Sequence, residues 1–124
     1  MGTNMILPKP MHKEEIITWL QRLDALRLEN VLLKNRVAEI TRHDIDFTVL
    51  ERMEYFMNNF VQKDTVFDLL KHDIIKLQKQ EKDTYTAETQ RKQEKLRGDI
   101  LRIEADFHRL KNDFYTYITT ALIP

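Results

Sequence analysis

Residues 16–40 read IITWLQRLDALRLENVLLKNRVAEI, and this stretch decides the fold. Counted by sevens, Ile16, Leu23, Asn30 and Val37 fall in one row. Trp19, Leu26, Leu33 and Ile40 form a second row three residues on. An α-helix returns to nearly the same side every seven residues, so the two rows make one stripe along a helix. Seven of the eight positions are strongly apolar, and a strand with its period of two would not hold that phase over four heptads. A helix over about 11–41 is expected, with Glu14 and Glu15 in its first turn, near the partial positive charge of the N-terminus. Ahead of it, Pro8 and Pro10 make residues 1–10 read as an extended segment, because proline and the residue before it resist helix.

The same period runs on. The stripe breaks at Thr41-Arg42-His43-Asp44, where Thr41 with Asp44, or Asp44 alone, suits the cap of a second helix. That helix carries Met53, Phe60, Phe67 and Ile74 in one row and Val49, Phe56, Lys63, Leu70 and Leu77 in the other. Thr65 and Asp68 fit a capping pattern, but the phase passes through them unshifted, so one helix over about 44–82 is expected. Residues 79–95 hold no strong aliphatic side chain, and a turn belongs there, with the best N-capping chemistry from Asp83 to Thr86. A third helix over about 86–122 has the rows Leu96, Ile103, Leu110, Tyr117 and Ile100, Phe107, Phe114, Ala121. Gly98 leaves a second reading open, a start at Asp99, since glycine inside a helix costs roughly 1 kcal/mol against alanine.

These elements make an all-α protein of three long helices. Helices 2 and 3 form an antiparallel hairpin and helix 1 packs alongside, so residues 11–124 are one coiled-coil-like bundle. Folded back from 41–44, helix 1 is expected to reach along helix 2 only to about Lys71–Asp73. The end of the hairpin would then stand uncovered.

Composition narrows the function. The chain has 124 residues, enough for one domain, and 20 basic against 20 acidic side chains leave no net charge. Only 2 Gly and 3 Pro argue against an all-β fold, and the absence of Cys excludes disulfides and thiolate chemistry. No apolar run approaches the roughly 18 residues of a membrane span, and the first residues lack a secretory signal, so a soluble cytoplasmic protein without membrane contact is expected. Nucleic acid is disfavoured too. The most basic segment, 79–97, carries 6 cations against 4 anions, and phosphate binding needs more uncompensated charge than that.

Nor does the pattern suggest catalysis. None of His12, His43, His72 and His108 has the Glu three residues earlier that di-metal helical bundles use. Glu104 and His108 read as a surface pair and Lys63 as a lysine whose stem packs while its ammonium reaches water. Met53, Phe56, Met57 and Phe60, opposite Phe107, Phe114, Tyr115 and Tyr117, read as core rather than as a ligand pocket. With glycine only at positions 2 and 98 there is no phosphate loop, so no enzyme, cofactor or metal is expected.

Association is what remains. Ile17, Leu28, Val31 and Leu32 lie off the main stripe of helix 1, and a helix apolar on two sides touches two neighbours. A second copy of the chain is the simplest second neighbour, which makes a homodimer the expectation. Two readings fit Asn30: a polar core residue that fixes register and two-strandedness, or a side chain rotated to solvent or a backbone carbonyl. The segment Leu28–Val37 resembles a leucine zipper over ten residues and names no family. At the hairpin end, Ile74, Ile75 and Leu77 beside Lys79, Arg91 and Lys92 are candidates for contact with a protein partner, or they simply close the hairpin. A scaffold that self-associates and presents its hairpin to a partner is the expected function. The alternative is a nucleic-acid-associated or regulatory protein using the weakly basic end 79–97.

Overall fold

A computed structural model describes residues 9–80 and 85–122, with side chains from Lys13 onward. It consists of α1 (Lys9–Thr41), α2 (Phe47–Gln80) and α3 (Ala87–Ala121). Glu15 meets Arg97, Arg22 meets Glu104 and Glu29 meets Lys111, each pair 82 residues apart, so α1 and α3 run parallel. Along α2 the order reverses, with Asp24 near Lys71, Arg27 near Asp68 and Lys34 near Asp64. The path is up, down, up. An antiparallel α2–α3 hairpin has α1 packed alongside.

The seven-residue rows turn inward over most of their length, but Lys63, Ile103 and Tyr117 are half-buried, Ala121 is exposed, and Ile118, outside both rows of α3, is buried. Ile16, Trp19, Leu23, Leu26, Leu33, Val37 and Ile40 of α1 are buried with Met53, Phe56, Phe60, Phe67, Leu70, Ile74 and Leu77 of α2 and with Leu96, Ile100, Phe107, Leu110, Phe114 and Ile118 of α3. Between α2 and α3 the rings interlock edge to face. Phe56 and Phe60 lie 5.2 and 5.6 Å from Phe114, and Phe67 lies 5.6 Å from Phe107. Such pairs contribute beyond the area they bury.

The helix ends correct several expectations. α1 is already helical at Lys9 and Pro10, because proline in a first turn removes an N–H that would have no partner there; residues 1–8 lie outside the described residues. Glu14 and Glu15 therefore sit beyond the first turn. The cap of α2 is Asp46, not Asp44 or Thr41: its Oδ1 accepts the Val49 N–H at 2.9 Å and its carbonyl accepts that of Leu50 at 3.0 Å. Ile45, just before the cap, is half-buried against the core. Thr86 caps α3 in a reciprocal box with Thr89, and the helix runs unbroken through Gly98, so the start at Asp99 is not used.

The uncovered hairpin end is also corrected. Glu15 of α1 reaches Gln93 and Arg97 in the first turns of α3, and Ile16 and Trp19 are 1% and 2% exposed. α1 thus lies along the hairpin into that end. Glu15, Ile16 and Trp19 lie inside the expected helix 11–41, so the reach comes from how α1 is set along α2, with Asp24 near Lys71.

Candidate interaction surface

The outer face of α1 carries four of the ten exposed large hydrophobic side chains among the described residues. Ile17, Leu28, Val31 and Leu32 are 49%, 63%, 43% and 60% exposed. All four lie away from the buried rows, and Leu28, Val31 and Leu32 stand three and four residues apart, so they form one continuous patch. Val61 of α2 extends it. Asn30 bonds to the carbonyl of Phe60, and in an antiparallel pair the residues that follow, Val31 and Val61, turn to the same side of the seam. Val61 is likewise about half exposed.

Asn30 is the one predicted self-association residue that does not belong to this face. It is fully buried within the chain. Its Nδ2 donates to the Phe60 carbonyl at 2.9 Å and to Asp64 Oδ1 at 2.6 Å, and Lys34 binds the other Asp64 oxygen. Its Oδ1 is buried without a hydrogen-bond partner. The row that placed Asn30 in a seam was right about the seam, which lies between α1 and α2 of one chain.

The hairpin-end candidates divide. Ile74 and Leu77, 0% and 2% exposed, are core residues that close the hairpin, so they are corrected as partner contacts. Ile75 is half-buried, and Lys79, Arg91 and Lys92 are exposed. Lys92 lies 3.2 Å from Gln80 Oε1 and 3.5 Å from Glu88. A groove of about 180 Å³ between Asp73, Lys76, Gln80, Lys92 and Lys95 has only the buried Leu77 and Leu96 as its floor. It offers charge at the rim over a small apolar floor.

Polar order at this end was missed. Tyr85, Thr89 and Gln93 are buried; the Tyr85 hydroxyl donates to Gln93 Oε1 at 2.6 Å, and Gln93 Nε2 donates to Glu15 at 2.5 Å. The signal was present, because Gln93 stands seven residues before Ile100 in the same row. Arg97 completes the group with two bonds to Glu15, at 2.8 and 2.7 Å, which hold its guanidinium above the ordinary arginine range. Burial pushes the nearby Asp99 carboxyl up, but hydrogen bonds from Lys95 and Arg102 outweigh it and hold the group below the ordinary range.

The chain matches no family model, no curated protein and no solved structure.

The described residues place little reactive chemistry together. Glu104 pairs with Arg22 on α1, whereas the expectation joined it to His108. Lys63 is half-buried at the edge of its row. Among the described residues, no group of three or more His, Asp or Glu side chains is arranged to hold a metal, and no helix is long and apolar enough to cross a membrane. At the opposite end of the hairpin, a groove of about 410 Å³ is lined by Arg52, Tyr55, Phe56, Asp113, Thr116, Tyr117 and Thr120. The Arg52 guanidinium lies 5.2, 5.7 and 5.5 Å from the Tyr55, Phe56 and Tyr117 rings, so the cation belongs to a stack that closes the bundle end.

Proposed function

We propose that this protein is a non-catalytic helical scaffold that associates with a second copy of itself through the outer face of α1. The patch of Leu28, Val31 and Leu32 carries the reading, because three large apolar side chains stay exposed on a bundle whose own core is closed. Contiguous apolar surface of this kind marks an association site more often than isolated exposed residues do. A two-fold pair uses the same patch on both chains, so one face suffices for closure. Ile17 lies further along the same helix and lengthens the contact. The hairpin end, with Ile75, Lys79, Arg91 and Lys92, is the surface left to a protein partner.

Sedimentation equilibrium on wild type and on the double variant Leu28→Glu/Leu32→Glu tests this. Both side chains are exposed, so the variant is expected to keep its helicity and lose association at least tenfold. Unchanged association in a folded variant would remove α1's outer face from the account.

A further inference from the structure

We infer that the Asn30–Asp64–Lys34 cluster is a register lock that selects one alignment of α1 against α2 from alternatives a heptad apart. A core that repeats every seven residues has a built-in ambiguity. Sliding α1 by one heptad sets apolar residues against apolar residues again at nearly every position of its two rows. Asn30 is the exception, as the one polar residue among the eight.

In the observed alignment both hydrogens of its amide are used, one by the Phe60 carbonyl at 2.9 Å and one by Asp64 at 2.6 Å. Lys34, one turn along α1, binds the second oxygen of the same carboxylate. A slipped α1 buries the amide away from both acceptors, and an unmade buried hydrogen bond is expensive. The amide oxygen gains nothing in the native arrangement, being buried with no partner. A leucine here would fill the row without that cost, so the asparagine is placed better for selecting an alignment than for stability.

On the α1–α2 seam a slip breaks the Asp24–Lys71 pair, but the cations of α1 discriminate poorly. Arg27 pairs with Asp68 and Lys34 with Asp64. Arg27 and Lys34 are seven residues apart and of like sign, so a slip that brings Lys34 to the place of Arg27 keeps a cation beside Asp68 and leaves Asp64 facing Thr41. The α1–α3 seam does discriminate, since Glu15, Arg22 and Glu29 face Arg97, Glu104 and Lys111 with alternating sign. Those pairs are partly exposed and are screened by salt. Asn30 is buried, so its selection persists when salt has weakened the charges.

The test uses the absence of native cysteine. Val31→Cys with Val61→Cys reports the native alignment, and Ala38→Cys with Val61→Cys reports α1 slipped by one heptad; a short bifunctional thiol reagent reads both. Only cross-links within a single chain are counted, since Val31 and Val61 also lie on the proposed self-association face. With Asn30 present, only the native reporter is expected to cross-link, at low salt and in 1 M NaCl. Adding Asn30→Leu is expected to raise Tm by several degrees and to make the slipped reporter cross-link in 1 M NaCl. Asn30→Val, a smaller replacement, gives an independent second reading. If both variants fold and the slipped reporter stays unlinked in high salt, Asn30 does not set the register. A fall in Tm for both would equally overturn the idea, by showing that the asparagine is there for stability.

Discussion

Arg97 grips Glu15 with two hydrogen bonds, from Nε at 2.8 Å and from Nη2 at 2.7 Å. The pair joins the start of α1 to the first turns of α3 and opens a series that continues with Arg22–Glu104 and Glu29–Lys111. The signs alternate along α1 and in the opposite sense along α3. Charge reversal at one step is therefore predicted to be repaired by reversal of its partner. Arg22→Glu should lower Tm, and Arg22→Glu/Glu104→Arg should recover most of the loss. The coupling energy should be about 0.5–1 kcal/mol, because the pair is only partly buried, and it should shrink in 0.5 M salt. Thermal melts of the four proteins in the cycle measure it.

Asp99 gives a pH dependence of definite sign. Its carboxyl titrates below the ordinary range in the folded chain, despite burial, because Lys95 and Arg102 bind the charged form. Its contribution is then complete above the unfolded value of about 3.9 and is lost as pH falls through the lower folded value. Asp99→Asn should be less stable than wild type at pH 7, and the difference should vanish toward pH 2. Chemical denaturation at a series of pH values checks this; a difference that grows with acid would contradict it.

Gly98 sits inside α3, and a Cβ built on it meets no atom within 4 Å. Gly98→Ala should therefore stabilise the protein by about 0.5–1 kcal/mol, mainly by restricting the unfolded chain. A rise in Tm without a change in helical circular dichroism is the expected outcome.

Tyr85→Phe removes the hydroxyl that donates to Gln93 Oε1 and leaves that oxygen buried with one donor fewer. A loss of about 1–2 kcal/mol is expected, since the remaining group keeps its desolvation cost. Tyr85→Phe combined with Gln93→Leu should lose less than the sum of the two single changes. Urea melts of the three variants decide it.

How far the sequence went follows from what a period can encode. Apolar rows report which side of a helix is buried, and Val49 to Leu77 were read correctly because each row repeats without a shift. A period does not report which neighbour a row meets. Of the two readings of Asn30, the one that takes its side chain to a backbone carbonyl agrees with the bond to Phe60, and the one that makes it a device for pairing two chains does not. Cap identity is illegible for a related reason: Asp44 and Asp46 have the same chemistry, and only the turn geometry starts the helix at Phe47 and so leaves Asp46 to accept the Val49 N–H. Thr89 and Gln93 continue the rows of α3 but, being polar, look like their end, and Tyr85 precedes α3 and stands in neither row. Each is buried through a hydrogen bond to a partner that hydropathy does not show. The reach of α1 follows from how it is set along α2, with Asp24 at the level of Lys71, and apolar rows do not encode that offset.

The most direct test of the proposed role is the mass in solution, measured by light scattering after size exclusion over a hundredfold range of concentration. The account predicts a mass approaching twice 15.0 kDa as concentration rises, and a return to 15.0 kDa when Leu28 and Leu32 are changed to glutamate. A mass of 15.0 kDa at every concentration of the wild-type chain would contradict self-association.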